Sequence, residues 1–135
     1  MLQERLNPER RALVAGNGAL GTMVARNLSR SGFQVSVVDG DPTDSDVLEA
    51  CGIRGAAVVV AATRDDHVNY RVARFAKTIC GVPDVVACIS SHSHLDSLVP
   101  PGIRFVRPAQ YAADSVLAAV LYPVAQPDLL HKRVI

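Results

Sequence analysis

Short apolar runs alternate with segments of helical spacing from Arg11 to Tyr122. That rhythm is the one that gives a parallel sheet covered by helices on both faces. Residues 12–15 form the first apolar run. A helix is predicted over 19–29, with Leu20, Met23, Val24 and Leu28 at three- and four-residue spacing as its apolar stripe. Gly32 stands where a left-handed C-cap belongs. Residues 33–39, with Val35, Val37 and Val38, read as the second strand, after which Asp44 or Ser45 caps a short helix through Leu48 to Cys51. Residues 57–62 are almost wholly Ala and Val, as expected of a central strand buried on both faces.

The second half continues the alternation. Thr63-Arg64-Asp65-Asp66 has capping-box spacing, with an acid in place of the usual Glu or Gln. The helix that follows places Val68, Val72, Phe75, Ala76 and Ile79 on one face, and Gly81 and Pro83 stop it. Residues 85–89 are the fourth strand, 94–98 a brief helical turn ended by Pro100-Pro101, and 103–106 the fifth strand. Pro108 opens a last helix ending near Pro123, apolar on nearly every face from Tyr111 to Tyr122. Such a helix is buried in the core or covered by another subunit.

The candidate chemistry begins between the first strand and its helix, at Gly16-Asn17-Gly18-Ala19-Leu20-Gly21. This is a G-x-G-x-x-G turn in the strand–turn–helix setting that binds phosphate. The first glycine allows the tight turn and the second a close approach of the backbone to a pyrophosphate. The third allows close packing of helix on strand, while the helix N-terminus offers N–H groups to the anion. Asp39 follows Gly21 by eighteen residues, the spacing at which an acid accepts both ribose hydroxyls of an adenosine. No Arg directly follows it to attract a 2′-phosphate, which favours NAD(H), with ATP, ADP or AMP as alternatives, over NADP. Asp39-Gly40-Asp41-Pro42 is equally a turn-forming sequence, and Asp41 in particular can simply brace it. Ala62, Thr63, Asp66 and Asn69 follow the third strand at the carboxyl edge, where ligands bind in open α/β sheets. Their structural alternatives are helix capping for Thr63 and solvent exposure for Asp66 and Asn69. These signals give an α/β, Rossmann-like, doubly wound parallel sheet over 11–123, between an N-terminal extension at 1–10 and a tail at 124–135.

Composition narrows the function further. A chain of 135 residues fits one domain, and 49% hydrophobic residues with only 4% aromatic suit Ala/Val strands. The net charge of +1 without a Lys/Arg run beyond two argues against nucleic acid or an anionic membrane surface. The longest apolar stretch, 56–62, is too short to span a bilayer, and the first residues do not read as a signal peptide. A cytoplasmic location is the resulting expectation. Cys51, Cys80 and Cys88 form no C-x-x-C pair and read as small hydrophobes in a reducing compartment. His92 and His94 form an H-x-H pair with Asp96 nearby but no Cys in the cluster; they read as exposed loop histidines, and no metal site is expected. Tyr70 is followed four residues later by Arg74 rather than Lys, and there is no room for a substrate domain. The chain is therefore expected not to be an enzyme. An NAD(P)-dependent oxidoreductase module without its substrate domain is the alternative, and a scaffold that binds nothing a third.

With these residues in place the chain resembles the TrkA-N domain, the N-terminal lobe of regulator-of-potassium-conductance (RCK) domains. The resemblance rests on the glycine turn, Asp39, Gly40-Asp41-Pro42-Thr43-Asp44 with Val47-Leu48, and Ala50 with Gly52-Ile53. It extends to Ala61-Ala62-Thr63, Asp66 and Asn69, then Pro108 and Ala112-Ala113. It implies a regulatory NAD(H)- or adenine-nucleotide-binding domain that gates potassium or cation transport by a ligand-dependent conformational change. Thr63 and its neighbours would close over the phosphates or second ribose. The implied partners are a second copy, or a higher oligomer, packed through the last helix, and a membrane potassium transporter or channel subunit on a separate chain. The location implied is cytoplasmic, peripheral to the inner membrane through that transporter. Family members usually carry a further helix and strand between the ribose acid and the Gly-Asp-x-Thr segment. Here Asp39 abuts Gly40-Asp41, so about twenty residues, half a crossover, are missing. Five strands in the order 2-1-3-4-5 follow. Cys88 and Ser90 stand where the family often has Arg and then Asn, and the family's C-terminal ligand-binding lobe is not expected within this chain.

Overall fold

The computed structural model describes residues 10–98 and 101–122. The tail at 124–135 and the extension before Arg10 lie outside the described residues, while the last helix ends at Leu121, close to the expected end near Pro123. Five strands, β1 (Arg11–Ala15), β2 (Gln34–Val37), β3 (Val58–Ala61), β4 (Asp84–Cys88) and β5 (Ile103–Val106), form one parallel sheet in the order β2-β1-β3-β4-β5. The helices are α1 (Ala19–Arg30), α2 (Ser45–Ala50), α3 (Asp66–Arg74) and α4 (Pro108–Leu121). No helix among the described residues is long and apolar enough to cross a membrane.

Alternation along the strands builds two cores. Leu13, Ala15, Val59, Ala61, Val85 and Ala87 face one side, against Leu48, Ile53, Val72, Ala73 and Ala76. Ala12, Val14, Val58 and Val60 face the other, against Val24, Ala25 and Leu28 of α1. Leu48 and Ile53, both buried, anchor the short crossover that carries the chain from β2 past β1 to β3. No further strand intervenes, as the abutment of Asp39 on Gly40-Asp41 predicts. Cys88 is buried, and burial pushes its thiol pKa up, so it packs as a neutral hydrophobe.

Three local details differ from the sequence-based expectation. The face of α1 packed on the sheet runs through buried Gly21 and half-buried Val24, Ala25 and Leu28, leaving Leu20 and Met23 exposed, because close packing of Gly21 on Gly16 fixes the helix rotation. Ile79 is 59% exposed. The helix after α3 continues as a π-turn over Phe75–Ile79, whose wider winding carries Ile79 off the buried face. The cap of α3 is Asp65, not Thr63: its carboxylate accepts the N–H groups of His67 and Val68 at 2.9 and 3.2 Å. The last helix, α4, has no buried residue, which sets aside a purely internal role for its described part.

Candidate functional site

The carboxyl ends of β1, β2 and β3 open into a cleft of about 740 Å³, within the range of small-molecule sites. Its floor is the glycine turn. Gly16 has φ +136°, a conformation other residues rarely adopt, and a Cβ there would collide with the Ala62 carbonyl. A Cβ on Gly21 would collide with the Gly16 carbonyl. These two glycines are required by the fold itself. Gly18 differs: its φ of −80° suits any residue, and a Cβ there would meet nothing within 4 Å. Space, not packing, lies above it.

Gly18 is also the N-cap of α1, and no side chain caps that helix. The first turn of α1 carries no acid. Its leading N–H groups and the positive end of its dipole therefore face the cleft without competition. Three other helices start at this edge. α4 opens with Pro108 and also lacks a side-chain cap and a first-turn acid, but Pro108 does not line the cleft. α2 and α3 are closed by their own residues. Asp44 caps α2 by accepting the Asp46 N–H at 2.9 Å, and Asp65 caps α3; each helix also has an acid in its first turn.

The remaining walls come from Val38, Gly40 and Pro42 after β2, and from Ala62, Thr63, Arg64, Asp65 and Val68 after β3. The Ala62 N–H donates to the Ala15 carbonyl at 2.7 Å and so holds the β3 exit against the glycine turn. Arg64, exposed, is the one cation among the lining residues. Val38, Pro42, Arg64, Asp65 and Val68 were named in the sequence only for structural roles, not as site residues. The usable signal was their place directly after strands at the carboxyl edge.

Gly16, Asn17, Gly18, Ala19, Leu20, Gly40, Ala62 and Thr63 line the cleft, with Gly21 packed beneath it. Asp39 is exposed between the lining residues Val38 and Gly40, and no protein group among the described residues hydrogen-bonds its carboxylate. Asp41 lies outside the lining. It accepts the Thr43 N–H at 2.9 Å and the Thr43 hydroxyl at 2.7 Å, and these bonds hold its carboxyl below the usual carboxylate range. It braces the turn.

Asp66 and Asn69 likewise work within the protein. Asp66 accepts the Ser90 N–H at 3.0 Å and its hydroxyl at 2.7 Å, tying α3 to the end of β4. Asn69 is 1% exposed and fully partnered. Its amide donates to the Thr63 carbonyl at 3.0 Å and the Cys88 carbonyl at 2.9 Å. Its oxygen accepts the Thr63 N–H at 2.9 Å and hydroxyl at 2.6 Å. Thr63 thus reaches the cleft from a clamped position.

The TrkA-N domain model matches residues 32–106, more than half of the chain. The chain belongs to the TrkA-N domain family. The matched span starts after the glycine turn, so the turn is an independent observation. The Trk system potassium uptake protein TrkA of Streptomyces coelicolor is 28% identical over 134 residues, covering 85% of this chain and 60% of that protein. The chain thus spans less than two thirds of that relative's length. The GsuK RCK domain superposes with a TM-score of 0.76 at 20% identity, over 88% of this chain and 30% of that one. The GsuK channel bound to NAD gives a TM-score of 0.74 at 21% identity, over 87% and 24% of the two chains. GsuK bound to ADP gives 0.73 at 23% identity, over 90% and 36%. At these identities the superpositions establish a shared TrkA-N/RCK fold.

Proposed function

We propose that this chain is a regulatory nucleotide-binding domain of a potassium or cation transport system, acting through a conformational change on ligand binding. The observation that carries the reading is the start of α1: an uncapped, acid-free helix N-terminus beneath a glycine that the fold does not need. Gly16 through Gly21 would surround the phosphates, with Arg64 as a mobile counter-charge. Asp39 and Gly40 would face the ribose, and Ala62 and Thr63 the opposite side of the phosphate chain. Asp41, Asp66 and Asn69 hold the loops that shape this space. NAD(H) is the first candidate and ATP, ADP and AMP the next, in line with the NAD- and ADP-bound forms of the similar GsuK channel.

Regulation requires that the nucleotide bind one arrangement of subunits better than another. The exposed apolar residues of α4, among them Tyr111, Val116, Leu117 and Val120, supply a surface for a second copy. The transporter or channel subunit would be a separate partner, and the domain would work at the cytoplasmic side without catalytic turnover. Among the described residues the cleft lining carries no Lys, Tyr or His, the usual proton donors of a dehydrogenase, and its one acid, Asp65, caps α3.

The test is a thermal-shift and calorimetric screen against NAD⁺, NADH, ATP, ADP and AMP. At 100 times its Kd a ligand adds about 2.7 kcal/mol of stability. At least one of the five should raise the Tm and give a saturable isotherm. If none does, the proposal fails; binding of NADH accompanied by hydride turnover would replace it by the oxidoreductase reading.

A further inference from the structure

The two edges of the sheet are finished differently. β5 carries Arg104, ion-paired to Asp84 of its neighbour β4, so that edge is charged. β2, Gln34-Val35-Ser36-Val37, carries no charge and no proline, and its register with β1 runs without a bulge over four residues. Charges, prolines and bulges are the usual devices that keep an edge strand from pairing. No described segment pairs with the outer side of β2.

The direction of its free groups is fixed. The Gln34 N–H donates to the Arg10 carbonyl at 3.0 Å and the Val38 N–H to the Val14 carbonyl at 2.9 Å. Even-numbered residues therefore point their backbone groups toward β1, and the N–H and C=O groups of Val35 and Val37 point outward.

We propose that β2 pairs antiparallel with β2 of a second copy of this chain, on a two-fold axis through Ser36. In that register Val35 of one copy exchanges both backbone bonds with Val37 of the other, and the reverse, so every outward group of the strand is paired. Val37, 41% exposed, packs against the partner copy's half-buried Val35. The two Ser36 residues meet as a non-hydrogen-bonded pair, where side chains lie closest. Charge selects this orientation. The chain entering β2 carries the exposed Arg30, and the chain leaving it carries the exposed Asp39 and Asp41. Antiparallel pairing sets the basic end of each copy beside the acidic end of the other, whereas parallel pairing sets like charges together. The contact brings the sheets of two copies into one ten-stranded sheet and lies beside Asp39.

Light scattering on the full chain across a micromolar concentration series, with Ser36→Lys and Ser36→Cys, tests the inference. Ser36 is exposed, so Ser36→Lys leaves the Tm near that of the parent while placing two cations on the axis. It should lower the assembly mass twofold. Under mild oxidation Ser36→Cys should give a covalent dimer whose cross-linked peptides join position 36 to position 36. Gln34→Cys, exposed on the same strand but facing position 38 of the other copy, should not cross-link to itself. A parent chain that stays monomeric overturns the inference. So does an assembly whose mass survives Ser36→Lys, which would point to α4 or a terminal segment as the contact. If Ser36→Lys does not fold, cross-linking decides: equal yields from Ser36→Cys and Gln34→Cys overturn the pairing.

Discussion

Helices α1 and α3 start at the same edge of the same sheet, after neighbouring strands, yet their first turns are built in opposite ways. α3 satisfies itself: Asp65 takes the N–H groups of His67 and Val68, and Asp66 occupies the first turn. α1 begins at Gly18 with no side-chain cap and no acid. A glycine at the cap forgoes about a few tenths of a kcal/mol relative to Asp, Asn or Ser, so this start leaves a little stability unrealised by the free protein. The contrast teaches that an anion site is marked where a bare helix start meets an open cleft, since α4 is equally bare but its start does not line that cleft.

That comparison can be attacked through its supports. The largest effect is expected from Gly21→Ala, whose Cβ would strike the Gly16 carbonyl. Urea unfolding should show a loss of about 3 kcal/mol or more, because backbone must move. Asn69→Leu comes next. It strips partners from the Thr63 N–H and from the Cys88 carbonyl, at a cost of about 2–4 kcal/mol, and weakens nucleotide binding only through Thr63. Asp65→Ala removes the cap of α3 and should cost about 1 kcal/mol while leaving affinity nearly unchanged. Asp39→Ala should move stability by less than about 0.5 kcal/mol, since no described protein group holds that carboxylate. Its effect belongs to the ligand, where loss of a charge-assisted pair lowers affinity about tenfold or more by calorimetry.

Much of this frame was legible in the residues. The short apolar runs at 12–15 and 57–62, bounded by turn signals, read as strands buried on both faces, and the abutment of Asp39 on Gly40-Asp41 foretells five strands in the observed order. The floor of the cleft was legible too, because a glycine turn between strand and helix has few other forms. The walls were less so. Asp66 reaches Ser90 across 24 positions and Asn69 reaches Cys88 across 19, contacts that no local window contains. Arg64 and Val68 enter the lining only once those long bonds set the loop after β3. The choice of Asp65 over Thr63 as cap turned on the same loop, since Thr63 is claimed by Asn69. The π-turn at Phe75–Ile79 broke a helical period that extrapolation from Val68 and Val72 had carried one turn too far.

The central claim is that Gly18 is glycine for the ligand and not for the fold. Gly18→Asp separates the two most directly. Its φ of −80° and ψ of −164° suit a capping Asp, and nothing stands within 4 Å of the new Cβ. Measured side by side, unfolding should show the variant as stable as the parent or more so by a few tenths of a kcal/mol. Calorimetry with the nucleotide that binds the parent should show binding lost, because a carboxylate now occupies the anion's place. A variant that loses stability, or one that keeps its stability and still binds nucleotide with parental affinity, would contradict the account.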